Sequence, residues 1–399
     1  MADRPWLTLI GLGEDAPDGL SPASRSALEA AEIVMGPPRH LSLLPGIAAR
    51  QVEWPVPFAD GIPQLLALRG QRVAVLASGD PFWFGAGTTL ARHLEPGEWH
   101  ALPGPSTFSL AASRMVWPLE ATSCFGLHAA PLTRLRPVLA KGLRAIVLLR
   151  DGDAVRDLAT YLTDCGFGAS TLTVLEALGG PRERRTEARA DAMPVQDFAH
   201  PVCAAVHVAG RGAALPLASG RPDDWFESDG QMTKRPVRAL TLSALAPRPF
   251  EHLWDIGGGS GSVAIEWLLS HPTLTATSIE PRAERAANIS ANAARLGVDR
   301  LNVVTGAAPA ALAGLDVPDA IFVGGGLCDD LLGWLTANLR PSTRIVANAV
   351  TLETEALLTR AQADHGGELL RVELAQAAPL GPRRGWKSSY PIVQWSVTL

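Results

Sequence analysis

Short hydrophobic runs alternate with amphipathic stretches over the first half of the chain. Buried-strand patterns occupy residues 6–10, 73–77, 145–149 and 202–208, and helical patterns occupy about 21–31 and 154–162. Strands that alternate with helices are typical of α/β domains. The pattern therefore predicts an α/β domain over residues 1–210.

The second half has a more regular alternation. Strand patterns fall at 252–256, 274–279, 301–305, 319–323 and 343–347, and helical patterns at about 233–245, 261–270, 282–296, 328–338 and 352–364. This order predicts a doubly wound, Rossmann-like sheet over residues 231–399. Two last strand patterns, 368–374 and 392–397, have no helix between them, which predicts an antiparallel hairpin joined by a loop at the sheet edge.

Glycine and proline concentrate between the two halves. Gly210, Gly212, Pro216, Gly220 and Pro222 lie within about 20 residues, and several aspartates follow them. Such residues break helices and strands. The segment 211–230 is therefore predicted to be a linker between two domains.

Composition excludes several classes of protein. Hydrophobic residues make up 47% of the chain, charged residues 19%, and the net charge is −5, which predicts a globular protein without the basic surface of a nucleic-acid binder. The four cysteines lack metal-ligand spacing, so we expect no metal and a reducing, cytoplasmic location. The N-terminus lacks a signal-peptide core and no apolar run is long enough to span a membrane, so no membrane association is expected.

A glycine-rich motif, Asp255-Ile-Gly-Gly-Gly-Ser-Gly, follows the strand pattern at 252–256. Gly257, Gly259 and Gly261 would let a ligand approach the main chain where the strand ends, since they carry no Cβ. The helix that follows offers unpaired N–H groups. Glu280, at the end of the next strand pattern, is placed to accept hydrogen bonds from ribose hydroxyls.

The spacing of this motif favours S-adenosylmethionine over a dinucleotide. Gly257, Gly259 and Gly261 satisfy the pattern G-x-G-x-G, whereas a dinucleotide fingerprint needs a third glycine at position 262, which is Ser262. The acidic Asp255 just before the loop is also typical of methyltransferases. A dehydrogenase and a ligand-free glycine turn stay open as alternatives.

Residues at the other strand ends are candidates for the same pocket. Gly306 and Ala307 follow the third strand pattern, where the adenine would lie, and Gly324 begins a glycine triplet after the fourth. An amino-methyltransferase of nucleic acid would carry an Asn/Asp-Pro-Pro-aromatic tetrad there. Glycines instead open space for a bulky substrate, and Asn348, at the end of the fifth strand, is a candidate substrate contact.

The second half resembles the C-terminal domain of the decarboxylating precorrin-6Y methyltransferase family of the cobalamin pathway. The resemblance covers about 225–399 and rests on the segments 230–240, 253–267, 319–326, 346–353, 385–387 and 391–395. It implies a methyltransferase that binds S-adenosylmethionine at the loop described above.

The first half resembles the tetrapyrrole methylase family, whose two-lobed α/β fold binds S-adenosylmethionine between its lobes. The matching segments are 10–13, 36–40, 77–85 and 103–108. The resemblance implies one cofactor molecule per domain and, in the first domain, cofactor contacts from Gly11, Gly79, Asp80, Pro81 and Ser106. Gly11-Leu-Gly13 departs from the Gly-Pro-Gly of many relatives, which leaves the contacts of this loop open.

Together the resemblances imply methylation of precorrin-6B at meso carbons 5 and 15, with decarboxylation of the ring C acetate, to give precorrin-8X. A substrate rich in carboxylates calls for cations near the pocket. The candidate substrate contacts are Lys234, Arg235, Arg238, Asn348, Arg383, Arg384 and Lys387. Arg39 is a further candidate in the first domain, where His40 is expected to be a surface residue.

The sequence identifies no catalytic acid, base or nucleophile. Relatives of both domains associate, so the resemblance implies a homo-oligomer without nucleic-acid or membrane partners. The alternatives that stay open are another small-molecule or RNA methyltransferase, and a non-catalytic S-adenosylmethionine-binding scaffold.

Overall fold

A computed structural model describes residues 5–399. The chain divides into two compact units, with the main boundary after Ala213 and the short segment Thr133–Val138 assigned to the second unit. No helix within the described range is long and apolar enough to cross a membrane.

The first unit begins with a parallel sheet. Its strands are β1 (Leu7–Leu12), β2 (Ile33–Gly36), β3 (Arg50–Glu53), β4 (Val73–Ser78) and β5 (Trp99–Leu102), in the order β3-β2-β4-β1-β5. The central strands are apolar on both faces because hydrophobic clusters cover each side. Leu9 and Val75 belong to one cluster, whereas Ile10 and Leu76 belong to the other.

A second, mixed sheet completes the first unit. Its strands are β6 (Ser123–Gly126), β7 (Arg144–Leu149), β8 (Thr171–Glu176), β9 (Arg184–Arg189) and β10 (Val202–His207), in the order β6-β7-β10-β8-β9. The helices of this unit are α1 (Pro22–Ala30), α2 (Pro38–Ser42), α3 (Gly61–Leu66), α4 (Gly87–Ala91), α5 (Thr107–Met115) and α6 (Asp153–Asp164). The two sheets confirm the two-lobed α/β fold.

The second unit is a doubly wound sheet. Its strands are β11 (His252–Ile256), β12 (Thr275–Glu280), β13 (Asn302–Thr305), β14 (Ala320–Val323), β15 (Arg344–Ala349), β16 (Glu368–Val372) and β19 (Ile392–Thr398), in the order β13-β12-β11-β14-β15-β19-β16. The helices are α7 (Arg235–Leu245), α8 (Ser262–Ser270), α9 (Ala283–Arg295), α10 (Asp329–Asn338) and α11 (Leu352–His365). Alternate residues of β11 face opposite cores, Leu253 one and Trp254 the other.

β11 and β14 pair in parallel near the middle of the sheet, and β12 pairs in parallel with β11 on its other side. The direction in which the strand order progresses reverses between β11 and β14. Ligands of open α/β sheets bind at the carboxyl ends of the strands beside such a switch point. The glycine-rich motif at 257–261 lies there, directly after β11.

The predicted terminal hairpin is confirmed, but its connection differs. β19 runs antiparallel to both β15 and β16, so it lies inside the sheet and β16 forms the edge. The expected loop is instead a two-stranded ribbon, β17 (Ala375–Leu380) and β18 (Arg383–Ser388). Its strands are largely exposed on both faces, so no hydrophobic alternation marked them in the sequence.

Residues 211–230 are predicted to be a linker, but only the first few of them connect the two units. From Ala214 onward it belongs to the second unit, where Leu215 and Phe226 are buried in a hydrophobic core. Glu266 of α8 accepts hydrogen bonds from the main-chain N–H groups of Gly220 at 2.7 Å and Arg221 at 2.8 Å. Glycine and proline here shape a packed strap rather than a free linker.

Candidate functional sites

The glycine-rich loop of the second unit is shaped by close approach to a neighbouring strand end. Gly257 adopts φ +74°, and a Cβ at this position would lie 2.8 Å from the carbonyl oxygen of Gly325. The N–H of Gly257 donates to the carbonyl oxygen of Ile279 on β12 at 2.9 Å. Because both the conformation and the space require glycine, the loop is fixed against β12 and β14.

Glu280 is buried at the end of β12, beside this loop. Its carboxylate accepts hydrogen bonds from the N–H of Gly259 at 2.9 Å and the N–H of Arg282 at 3.0 Å. These bonds hold the carboxylate in place and leave further lone pairs for a diol. The geometry is compatible with the ribose contact predicted from the sequence.

Asp255, the last polar residue of β11, is also buried. One of its carboxylate oxygens accepts from the N–H of Ala264, at 3.3 Å, in the first turn of α8. Burial raises the pKa of Asp255 to about 7, and the nearby charge of Glu280 acts in the same direction. Near neutral pH this carboxyl can therefore exchange a proton when its surroundings change.

The remaining predicted cofactor positions lie on the loops next to this one. The N–H of Gly306 donates to the carbonyl oxygen of Glu280 at 3.1 Å, and Ala307 follows directly. The N–H of Gly324 donates to the carbonyl oxygen of Ile256 at 2.9 Å. A Cβ at Gly259 would approach no atom closer than 3.5 Å, and one at Gly325 would meet none within 4 Å. The four strand ends thus form a glycine-lined cradle with open space.

Arg238 does not lie at a pocket mouth, and its prediction as a substrate contact is corrected. Its side chain is fully buried, and its Nε donates to Glu266 at 2.6 Å while an Nη donates to Asp223 at 3.1 Å. A guanidinium engaged in this way cannot reach a ligand. Lys234 and Arg235, at the start of α7, remain exposed.

Asn348 lies in a network that sequence analysis did not find. Its amide nitrogen donates to Thr241 Oγ1 at 2.9 Å, and its amide oxygen accepts from Gln394 Nε2 at 2.9 Å. Gln394 was visible only as a polar residue of the alternating final strand. The network fixes the orientation of the half-buried Asn348 amide at the end of β15.

The three basic residues expected in the hairpin loop lie on the ribbon instead. Arg383, Arg384 and Lys387 belong to β18 and are exposed. Trp386, between them, is 79% exposed. The ribbon therefore presents cations and an aromatic ring together.

A cavity of about 780 Å³ lies within the first unit. Strand ends and loops of both sheets line it, from Leu12 and Ser78 in the first sheet to Leu175 and Cys203 in the second. Gly79, Asp80 and Ser106, which are predicted cofactor contacts, are among its lining residues. This volume is typical of small-molecule sites.

Gly11 and Pro81 are not among the lining residues of this cavity. Glycine is required at position 11 because there is no room for a side chain: a Cβ there would lie 1.8 Å from the carbonyl oxygen of Gly79. The N–H of Gly79 donates to the carbonyl oxygen of Leu12 at 2.9 Å. Gly11 thus allows the turn after β4 to close onto the end of β1.

Ser106 is the N-cap of α5, where its hydroxyl accepts a hydrogen bond from the N–H of Ser109 at 3.1 Å.

The wall of this cavity also carries an ionic cluster. Glu14 is buried, and its carboxylate pairs with Arg39 and, at 3.0 Å, with Arg182. His40 Nε2 lies 3.0 Å from Ser78 Oγ and 2.7 Å from an Arg39 nitrogen. Arg39 was a candidate from the sequence, but its partners Glu14 and Arg182 were not found, because the three residues are distant along the chain.

His40 is a buried residue rather than the surface histidine expected from the sequence, since it is only 3% exposed. Burial lowers its pKa to about 3, and the positive charge of Arg39 contributes. The imidazole is therefore neutral at physiological pH, and its Nε2 can accept a hydrogen bond from Arg39. Among residues 5–399, no cluster of three or more His, Cys, Asp or Glu side chains is arranged to hold a metal ion.

Two family models match the chain, one in each unit. The tetrapyrrole (corrin/porphyrin) methylase model matches residues 6–194, and the precorrin methyltransferase domain model matches residues 224–399. Each of the two units thus matches a family of methyltransferase domains.

Curated relatives match over the full length. A protein from Sinorhizobium sp. named precorrin-6Y C(5,15)-methyltransferase [decarboxylating] is 50% identical over 399 residues, covering 99% of this chain and 96% of the relative. A cobalt-precorrin-6B C(15)-methyltransferase (decarboxylating) from Salmonella typhimurium is 32% identical over 40% of this chain and 85% of its own. The solved C-terminal domain of the Rhodobacter capsulatus precorrin-6Y C5,15-methyltransferase is 55% identical, with a TM-score of 0.45, over 46% of this chain and 100% of that domain. The chain belongs to the precorrin-6Y C(5,15)-methyltransferase (decarboxylating) family.

Proposed function

We propose that this protein methylates precorrin-6B at meso carbons 5 and 15 and removes the ring C acetate carboxyl as carbon dioxide, which yields precorrin-8X for cobalamin biosynthesis. The observation that carries the proposal is that each of two methyltransferase domains offers space at its strand ends, a cavity of about 780 Å³ in the first unit and the glycine-lined cradle in the second. The name of the full-length Sinorhizobium relative supplies the class of reaction.

One S-adenosylmethionine molecule would bind in each unit. In the second unit its contacts would come from Asp255, Gly257, Gly259, Gly261, Glu280, Gly306, Ala307 and Gly324. The open space at Gly259 and the free lone pairs of the fixed Glu280 carboxylate support this fit. In the first unit Gly79, Asp80 and Ser106 would contact the cofactor directly, whereas Gly11 and Pro81 would shape the turn.

S-adenosylmethionine, when bound, supplies a methyl group on a sulfonium sulfur. The residues of this chain then have to hold the nucleophilic carbon in line with that methyl group and exclude water. The meso carbon is enamine-like and needs no strong base, and the macrocycle can accept the electron pair released by decarboxylation. This chemistry agrees with a glycine-lined pocket that offers no catalytic nucleophile.

Exposed cations would bind the substrate carboxylates in the second unit. Lys234, Arg235, Arg383, Arg384 and Lys387 remain candidates, and the oriented Asn348 amide would add a hydrogen bond. We assign methylation of carbon 5 to the first unit, and methylation of carbon 15 with decarboxylation to the second. The Salmonella relative supports this division. Its name combines methylation of carbon 15 with decarboxylation, and it matches only 40% of this chain.

Cofactor stoichiometry tests the two-site proposal. Equilibrium dialysis of the full chain with labelled S-adenosylhomocysteine should reveal two sites per chain. Gly259→Val should abolish one site by filling the cradle, and Gly79→Ala, at φ +54°, should weaken the other. Gly333→Ala, an exposed helical position with no atom near its Cβ, is the matched control that should keep both. A single site, or two sites lost together in either variant, would contradict the assignment.

A further inference from the structure

The turn after Pro81 carries three consecutive aromatic residues, Phe82, Trp83 and Phe84, which we call the aromatic turn. It follows Asp80 and Pro81, and the N–H of Gly87 donates to the carbonyl oxygen of Pro81 at 2.8 Å, so the chain folds back on itself here. Trp83 and Phe84 line the cavity of the first unit, whereas Phe82 does not. The aromatic turn therefore brings two ring systems to the cavity beside the proposed cofactor turn.

Phe84 holds its ring there in an unfavourable backbone conformation. Its φ is +56°, a region that bulky side chains rarely adopt because Cβ crowds the main chain. The residue is nevertheless 49% exposed. A strained residue with a partly exposed apolar side chain in a cavity is typical of a functional contact rather than of core packing.

The protein supports the Phe84 ring from behind. A Cβ on Gly126 of β6 would lie 2.6 Å from the ring, so only glycine leaves room for it. Phe108, which is 1% exposed, lies with its ring centre 5.7 Å from that of Phe84 and 4.9 Å from that of Trp83. The two cavity rings are thus fixed against a buried aromatic residue, and their remaining surface faces the cavity.

We propose that Phe84, together with Trp83, forms a stacking surface that positions the flat, conjugated macrocycle for methyl transfer in the first unit. The inference rests on the proposed function and identifies residues that determine how the substrate lies. Aromatic rings stack on conjugated systems in offset or tilted geometries. Arg39 and Arg150 line the same cavity, and although Arg150 pairs with Asp151, two arginines, Arg39 and Arg182, share the single Glu14 carboxylate, so a net positive charge would face the carboxylates at the rim of such a ligand.

Phe84→Leu tests the proposal, because leucine keeps apolar bulk and removes the π system. The assay uses the full-length protein in the steady state with its tetrapyrrole substrate. It should measure each of the two methyl transfers separately, by mass and by the position of the new methyl group. We expect the KM for the macrocycle to rise about tenfold in one transfer only, while the KM for S-adenosylmethionine and the other transfer change less than about twofold. Phe84→Tyr, which keeps the ring, should stay within about twofold of the wild type.

Phe82→Leu is the matched control on the same turn. Phe82 stacks on Trp99 with ring centres 5.4 Å apart and does not line the cavity, so both KM values should stay unchanged. An unchanged macrocycle KM in Phe84→Leu, or an equal rise in Phe82→Leu, would overturn the inference. A rise only in the KM for S-adenosylmethionine would also overturn it, since the ring would then contact the cofactor. A wild-type protein that transfers no methyl group to the macrocycle would instead contradict the proposed function.

Discussion

The buried guanidinium of Arg238 joins three parts of the second unit: α7, α8 and the strap that precedes them. Removing one member of a buried ion pair leaves its partner's charge poorly compensated, here that of Glu266, whose remaining cationic partner Arg221 lies 3.5 Å away. Arg238→Ala should therefore lower the free energy of unfolding of the second unit by about 3–5 kcal/mol. Arg235→Ala, one helical turn away and exposed, is the control and should change it by less than about 0.5 kcal/mol. Chemical denaturation followed by circular dichroism measures both, and equal losses would contradict the role given to Arg238.

His40 makes the first unit sensitive to acid. Its pKa of about 3 in the folded state lies below the ordinary value of 6.5, so below pH 6.5 the unfolded state binds a proton that the folded state does not. The contribution is therefore fully present above pH 6.5 and is lost as the pH falls towards 3. Between pH 7 and pH 5 the loss should be about 2 kcal/mol. His40→Gln should lose correspondingly less stability over that interval in denaturant titrations, and an identical pH slope in the variant would refute this reading.

Burial alone did not decide which strands could be predicted: the buried β2 and β8 were missed, whereas the exposed edge strand β16 was found. β11 and β14 could be predicted from the sequence because most of their residues are apolar and both of their faces are buried. β9, whose sequence is Arg-Arg-Thr-Glu-Ala-Arg, and the ribbon β17–β18 could not, because edge and exposed strands need no hydrophobic alternation. At the sites, the cradle glycines could be found because they form one contiguous motif. The Glu14–Arg39–Arg182 cluster could not, because it depends on tertiary contacts between distant parts of the chain.

Two glycines of the second unit should respond in opposite ways to alanine. Gly257→Ala should destabilise the β11–α8 turn by about 1–3 kcal/mol and weaken cofactor binding there, because its positive φ and the Gly325 carbonyl oxygen leave no room for Cβ. Gly333→Ala, inside α10, should stabilise the unit by about 0.5–1 kcal/mol through helix propensity. Thermal unfolding and S-adenosylhomocysteine binding distinguish them. A Gly257→Ala protein with unchanged stability and binding would contradict the geometry described for the loop.

At the scale of the whole molecule, we expect the chain to form a homo-oligomer through its ribbon. Leu380, Trp386 and Tyr390 are 69%, 79% and 86% exposed on or next to β17–β18, an apolar surface that a second copy would cover. Trp386→Asp should shift the molar mass from light scattering towards that of one chain, whereas Val195→Asp, at a 99% exposed position of the first unit, should not. A wild-type protein that is monomeric at micromolar concentration would disprove this expectation.

We expect one chain of this protein to carry out two methylations and one decarboxylation on the same tetrapyrrole. Mass spectrometry of the product formed by the full-length protein from precorrin-6B and excess S-adenosylmethionine tests it directly. We expect a product that has gained two methyl groups and lost one carbon dioxide. A substrate recovered without any added methyl group, although S-adenosylmethionine binds, would contradict it.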